Sequence, residues 1–100
     1  MPELDPVIHQ PVRLQIMAAL GHLGAREQVD FTYLKNRLAL SDGNLGAHLV
    51  TLEEAGYIAV AKTFVGRKPK TFVAPTAAGR RAFEHHVAAL NAILQPRAPR

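Results

Sequence analysis

From Pro11 onward, apolar side chains recur at helical spacing: Val12, Ile16, Ala19, Leu20 and Leu23, with Leu14 and Met17 widening the stripe. Gly21 and Gly24 supply a stop. Upstream, Asp5-Pro6 reads as an N-cap and first helical residue of an earlier turn, which His9-Gln10-Pro11 interrupts or restarts. After a polar connection from Ala25 to Val29, Asp30 is placed to cap a helix from Phe31 to about Leu38. That helix would bury Phe31, Leu34 and Leu38 and expose Thr32, Lys35 and Arg37. Ala39-Leu40 makes a short turn. Ser41 then caps a helix from Asp42 to about Ala55, with Asp42 favouring the positive end of the helix dipole. Leu45, Leu49 and Leu52 line its inner face, and Gly56 stands where a left-handed cap is needed.

Beyond Gly56 the period changes from helical to extended. Tyr57 to Phe64 is rich in β-formers, Val65 to Lys70 is turn chemistry, and Thr71 to Ala74 is a second strand that Pro75 ends. Thr76 caps a last helix that runs to about Leu94. Its apolar stripe is Phe83, Val87, Leu90 and Leu94, in steps of four, three and four. The segment 96–100, with two prolines and two arginines, is expected to be a disordered tail to a single domain over 1–95.

Charge changes this picture more than composition does. Apolar residues make up 48% and charged residues 20%, so the chain is globular rather than disordered. The net charge is +4, but it is concentrated: Lys62, Arg67, Lys68, Lys70, Arg80 and Arg81 fall within one fifth of the chain with no acidic residue between them. The rest has six basic and eight acidic residues. Such a stripe suits a polyanion, and as a bare charge pattern it equally suits a solvated loop. There is no cysteine, which excludes disulfides and thiolate metal sites. No signal peptide and no apolar run of the ~20 residues a membrane helix needs can be read, so the expected location is the cytoplasm.

Two short helices joined by a tight turn, a glycine, and then a basic hairpin make up a helix-turn-helix with a wing. The helix from Asp42 would turn Gly43, Asn44, Gly46, Ala47, Val50 and Thr51 outward, and these small residues let a helix lie close to base edges in a major groove. Ser41, the N–H groups at the helix start, and His48 are candidates for phosphates, as are Thr32 and Lys35 on the bracing helix. Arg67, Lys68 and Lys70 would reach the adjacent minor groove or backbone. Asp42, Gly43, Asn44, Ala47 and Thr51 complete the candidate DNA face, with Asn44 able to read adenine.

The stretch Asp30-Phe31-Thr32-Tyr33-Leu34, Leu40-Ser41-Asp42-Gly43-Asn44-Leu45, His48-Leu49 and Leu52-Glu53-Glu54-Ala55-Gly56-Tyr57-Ile58 resembles the core of ArsR/MarR-type transcription regulators. The likeness continues through Gly66 to Thr71 and Thr76 to Arg80, and Pro11 to Leu20 resembles the family's first core helix. The resemblance implies an α+β, mostly helical fold: a winged helix-turn-helix with a two-stranded β-hairpin wing and a C-terminal dimerisation helix. It also implies a homodimer that binds duplex DNA in a sequence-specific way. One departure stands out. Relatives carry polar or basic residues around the His-Leu pair, whereas here Gly46, Ala47, Val50 and Thr51 surround it, and no arginine or lysine on this helix can grip guanine.

Phe83, Val87, Leu90 and Leu94, joined by Leu4, Val7 and Ile8, read as a dimer seam rather than internal core, because so small a domain has little other surface to bury them. Two-fold symmetry would present recognition helices about 34 Å apart and predicts an inverted-repeat operator, with repression the simplest outcome. His85-His86 is a poor metal pair, since neighbours on a helix diverge by about 100°. No metal or cofactor is expected, and no residue requires a small-molecule effector. An enzyme is not expected either: Glu53 and Glu54 diverge, and the single serine, Ser41, serves as a cap. The competing reading is a winged-helix protein-interaction module with little specific DNA binding, which the bland recognition helix favours. His48 likewise has a plain reading as a packing residue beside Leu49 and Leu52.

Overall fold

The computed structural model describes residues 2–95, so the expected tail at 96–100 lies outside the described residues. Seven elements follow in order: α1 (Pro11–Leu20), β1 (Val29–Asp30), α2 (Phe31–Leu38), α3 (Asp42–Glu54), β2 (Ile58–Val65), β3 (Lys68–Pro75) and α4 (Ala77–Leu94). The strands form one antiparallel sheet in the order β1-β3-β2. The architecture is the expected mostly helical α+β one, with β2 and β3 forming the hairpin.

Each helix starts where a side chain can satisfy its orphan N–H groups. Asp30 accepts from the Tyr33 N–H at 2.7 Å, Ser41 from the Asn44 N–H at 3.1 Å, and Thr76 from the Gly79 N–H at 3.0 Å. Gln10 caps α1 by accepting from the N–H groups of both Val12 and Arg13 at 2.9 Å. Asp5 caps only a single turn, accepting from Val7 at 2.8 Å and Ile8 at 3.3 Å, before Pro11 restarts the chain as α1. The α2–α3 turn passes through Ala39 in the left-handed region at φ 54°, and the N–H of Leu40 closes back on the Lys35 carbonyl at 3.0 Å.

The core is one cluster: Ile8, Ile16, Met17 and Leu20 from the N-terminal third, Leu34 of α2, Leu45, Leu49 and Leu52 of α3, and Ile58 and Val73 of the sheet. Leu45, Leu49 and Leu52 are the inward positions expected from their spacing. Ile8 corrects the expected seam, because it is fully buried inside this cluster and has no surface to give a partner.

Two departures concern the sheet. β1 is only two residues long, pairing Val29 with Val73 and Asp30 with Phe72, too short to leave any periodic signal. The wing turn is also tighter than the sequence suggests. Val65 pairs with Lys68, so only Gly66 and Arg67 form the loop, with Gly66 at φ +65°. Lys68 and Lys70 therefore stand on β3. Pro69 is tolerated there because β3 has an open edge beyond β1.

A third departure is the rotation of α4. The residues it buries are Gly79, His86 and Ala89, a line roughly 80° around the helix from the expected stripe. Phe83 packs against the core, Val87 and Leu90 are half-buried, and Leu94 is 72% exposed. The expected stripe thus flanks the core face rather than forming it, and Ile93, 47% exposed, continues the His86 line one turn past the core, next to Leu90.

Candidate nucleic-acid interface

The α2–α3 corner gathers Thr32, Lys35, Ser41, Asp42, Gly43 and Asn44, while Ala47, His48 and Thr51 follow along α3. Thr32, Ser41, Asp42, Gly43, Asn44 and Ala47 are exposed, and His48 and Thr51 are half-buried. Several of these groups already have partners. The Ser41 hydroxyl and the Asn44 N–H satisfy each other as the cap, and Thr51 donates to the Ala47 carbonyl at 3.3 Å. Lys35 pairs with Asp42 at 3.0 Å. With Asp42 75% exposed, that ion pair contributes little, so Lys35 remains available to a phosphate. Neither Gly43 nor Gly46 has any atom within 4 Å of where a Cβ would stand, which leaves a bare strip on the outer face of α3.

His48 meets a residue that sequence reasoning did not single out. Its Nδ1 lies 3.1 Å from Nη1 of Arg13 on α1. Burial, and then the Arg13 charge, hold the His48 pKa below the ordinary histidine value. The imidazole is neutral, Nδ1 accepts from Arg13, and the proton sits on Nε2. Arg13 in turn donates from Nε to the Val7 carbonyl. Thirty-five residues separate Arg13 from His48, and helical periodicity carries no information across that gap.

The positive charge lies on the wing. α3 carries Asp42, Glu53 and Glu54 and no lysine or arginine. Lys70 leans back to Asp30 at 3.5 Å, where the Tyr33 N–H already lowers the aspartate's pKa. Arg67 and Lys68 are exposed and make no ion pair among the described residues. Between α3 and the wing runs a trough of about 450 Å³, floored by Phe31, Leu49, Val50 and Val60 and edged by Asp42, Glu53 and Lys62.

A helix-turn-helix followed at once by a basic antiparallel hairpin has a known counterpart. The family model described as winged helix DNA-binding domain matches residues 12–94. The chain belongs to this family. The winged helix is 38% identical over 81 residues to an uncharacterized protein of Methanocaldococcus jannaschii, covering 81% of this chain and 85% of that one. It superimposes on a transcriptional regulator homologue from Pyrococcus horikoshii with a TM-score of 0.79 and 31% identity, over 88% of this chain and 84% of that chain. HlyU from Vibrio cholerae shares the fold at 22% identity and a TM-score of 0.59, over 91% and 86% of the two chains. NadR, solved with 4-hydroxyphenylacetate, shares it at 20% identity and a TM-score of 0.68, over 89% and 63%.

The remaining sequence candidates are scattered over this winged helix. Leu4 and Val7 are half-buried beside α4, apart from the α2–α3 corner and the wing tip. His85 is exposed and His86 buried, so the pair diverges, and His86 accepts the backbone N–H of Asp5 at 3.0 Å. Among the described residues no group of three histidines, aspartates or glutamates is placed to hold a metal, and no helix is long and apolar enough to cross a membrane.

Proposed function

We propose that this winged helix is a homodimeric, sequence-specific transcriptional regulator that represses by occupying inverted-repeat operators in the cytoplasm. DNA binding is the property of its family, and the observation that carries the reading is the wing tip. Arg67 and Lys68 are exposed, with no ion pair among the described residues, and α3 beside them presents the open glycines Gly43 and Gly46. The likeness to the Pyrococcus horikoshii regulator homologue supports a regulatory role. We assign it no catalytic step.

The test is fluorescence anisotropy at about 150 mM salt, the physiological ionic strength. The protein is titrated onto the duplex upstream of its own gene and onto a scrambled duplex. Tight binding to the first and weak, salt-sensitive binding to the second is expected. Arg67→Ala with Lys68→Ala should weaken both and shallow the log–log salt slope by about two units, one for each lost phosphate contact. An unchanged slope would remove the wing from the interface.

Dimerisation is proposed through the flank of α4 formed by Val87, Leu90 and Leu94, with Ile93 added, since this apolar surface projects past the core. Leu90→Glu should convert a sedimenting dimer into a monomer with a folded far-ultraviolet spectrum and weaker operator binding. A variant that stays dimeric would place the interface elsewhere. The second reading, a protein-interaction module, is favoured by the trough between α3 and β2 and by the acidic character of α3. Failure to bind either duplex would make it the leading one.

A further inference from the structure

The tip of the wing carries an apolar blade that the fold does not use. Phe64 is 70% exposed and Val65 55% exposed, and Phe64 takes no part in the core cluster. The register sets Phe64 directly opposite Pro69, with Lys62 opposite Thr71 and Val60 opposite Val73 on the same face. At its base this face is buried, with Ile58 3% and Val73 0% exposed, and there β2 packs against α3. At its tip it is bare. Phe64 and Pro69 therefore stand on the side of the wing that faces past the recognition helix. Lys62 lies on their own face, Arg67 in the turn, and Lys68 and Lys70 on the opposite face.

Two rings amid four cations match one surface closely. Cations neutralise phosphates on the walls of a groove, while an apolar side chain lies against sugars or enters a base step, and phenylalanine and proline both serve as such wedges. A solvated wing would need no aromatic ring at its tip. We propose that Phe64, backed by Pro69, wedges into the minor groove of duplex DNA at a flexible pyrimidine–purine step and bends the duplex. The inference rests on the DNA-binding reading above and deepens it. Selection for deformable sequence then comes from the wing and makes up for a recognition helix that has no arginine or lysine.

The test uses the full chain and short duplexes of equal length and composition, with or without a central TA step, carrying a fluorophore pair at their ends. The wild type should prefer the TA duplex roughly tenfold and raise energy transfer between its ends. Phe64→Ala should lose roughly tenfold on the TA duplex alone, lose the gain in energy transfer and keep the salt slope, because no charge is removed. Phe64→Leu, another wedge, should retain most of both. The chain has no tryptophan, so Phe64→Trp provides a single reporter, and its emission should be quenched on binding as the indole meets bases. Phe64→Ala behaving as wild type on both duplexes would overturn the proposal and leave DNA binding standing. Phe64→Trp emission that shifts with protein concentration in the absence of DNA would overturn it in favour of a second copy of the chain as occupant. A wild type that binds neither duplex would overturn the proposal and the DNA-binding reading together.

Discussion

Gly79→Ala is expected to lower the melting temperature by roughly 15 °C, through a loss of about 3 kcal/mol. Gly79 is buried in the first turn of α4, directly against the chain at Tyr57. A Cβ there would clash with the Tyr57 carbonyl oxygen and stand 2.8 Å from its carbon and 2.9 Å from the Tyr57 Cα. All three are backbone atoms, so no side chain can swing aside. The backbone cannot move cheaply either. The Thr76 N–H bonds the same Tyr57 carbonyl at 3.1 Å, and the Thr76 hydroxyl donates to the Gly56 carbonyl at 2.6 Å. Relief would require α4 to lift off the α3–β2 corner, breaking these contacts. Gly46→Ala is the control. Its Cβ meets nothing within 4 Å, and an interior helical alanine should add about 0.5–1 kcal/mol of stability. Thermal denaturation of both variants checks the pair, and equal melting temperatures would refute the packing at Gly79.

Asp5→Ala is expected to cost about 2 kcal/mol at neutral pH and to reshape the dependence of stability on pH. Asp5 closes the turn of the N-terminal segment and ties it to two other parts of the protein, through its carboxylate to Tyr57 and through its backbone N–H to His86 on α4. Oδ1 accepts from the N–H groups of Val7 and Ile8, which seats Ile8 in the core, and Oδ2 accepts the Tyr57 hydroxyl. The backbone N–H of the same residue donates to Nδ1 of His86, which is 1% exposed. Since Nδ1 accepts, the His86 proton is on Nε2, and that atom is buried without a hydrogen-bonding partner among the described residues. Burial, and then His9, whose ring centroid lies 5.4 Å away, hold the His86 pKa below its ordinary value, while Asp5 opposes them.

The signs follow from linkage. His86 and His48 both have depressed pKa values, so the unfolded chain takes up protons before the folded one does. Stability is full above the unfolded histidine value of about 6.5 and falls as the pH drops below it. The Tyr57 pKa is raised, first by its hydrogen bond to Asp5, so its contribution is full below about 10 and is lost in stronger alkali. Removing Asp5 takes away the main cause of the Tyr57 shift, which should flatten the alkaline limb. It also removes the one charge that favours protonated His86, which should steepen the acid limb. Urea denaturation of the wild type and Asp5→Ala across pH 5 to 10.5 measures both limbs, and parallel curves would contradict this account.

The sequence by itself determined every helix that carries its own boundary signals. Asp30, Ser41 and Thr76 each cap the helix that follows them, and the inward leucines at 45, 49 and 52 follow from spacing alone. These are local physics, written within a few residues of where they act. The concentration of cations on the hairpin was equally legible, because charge and turn chemistry are both contiguous there. The tertiary structure alone decided what depends on residues far apart in the chain. β1 exists only because β3 offers it a partner, and Arg13 finds His48 only once α1 packs beside α3. The face that α4 turns inward was also decided by packing. The stripe Phe83, Val87, Leu90, Leu94 is the more hydrophobic one, yet His86 and Ala89 are buried instead. Close approach at Gly79 and the bond from Asp5 to His86 fix the rotation of the helix, and neither partner is visible from within the sequence of α4.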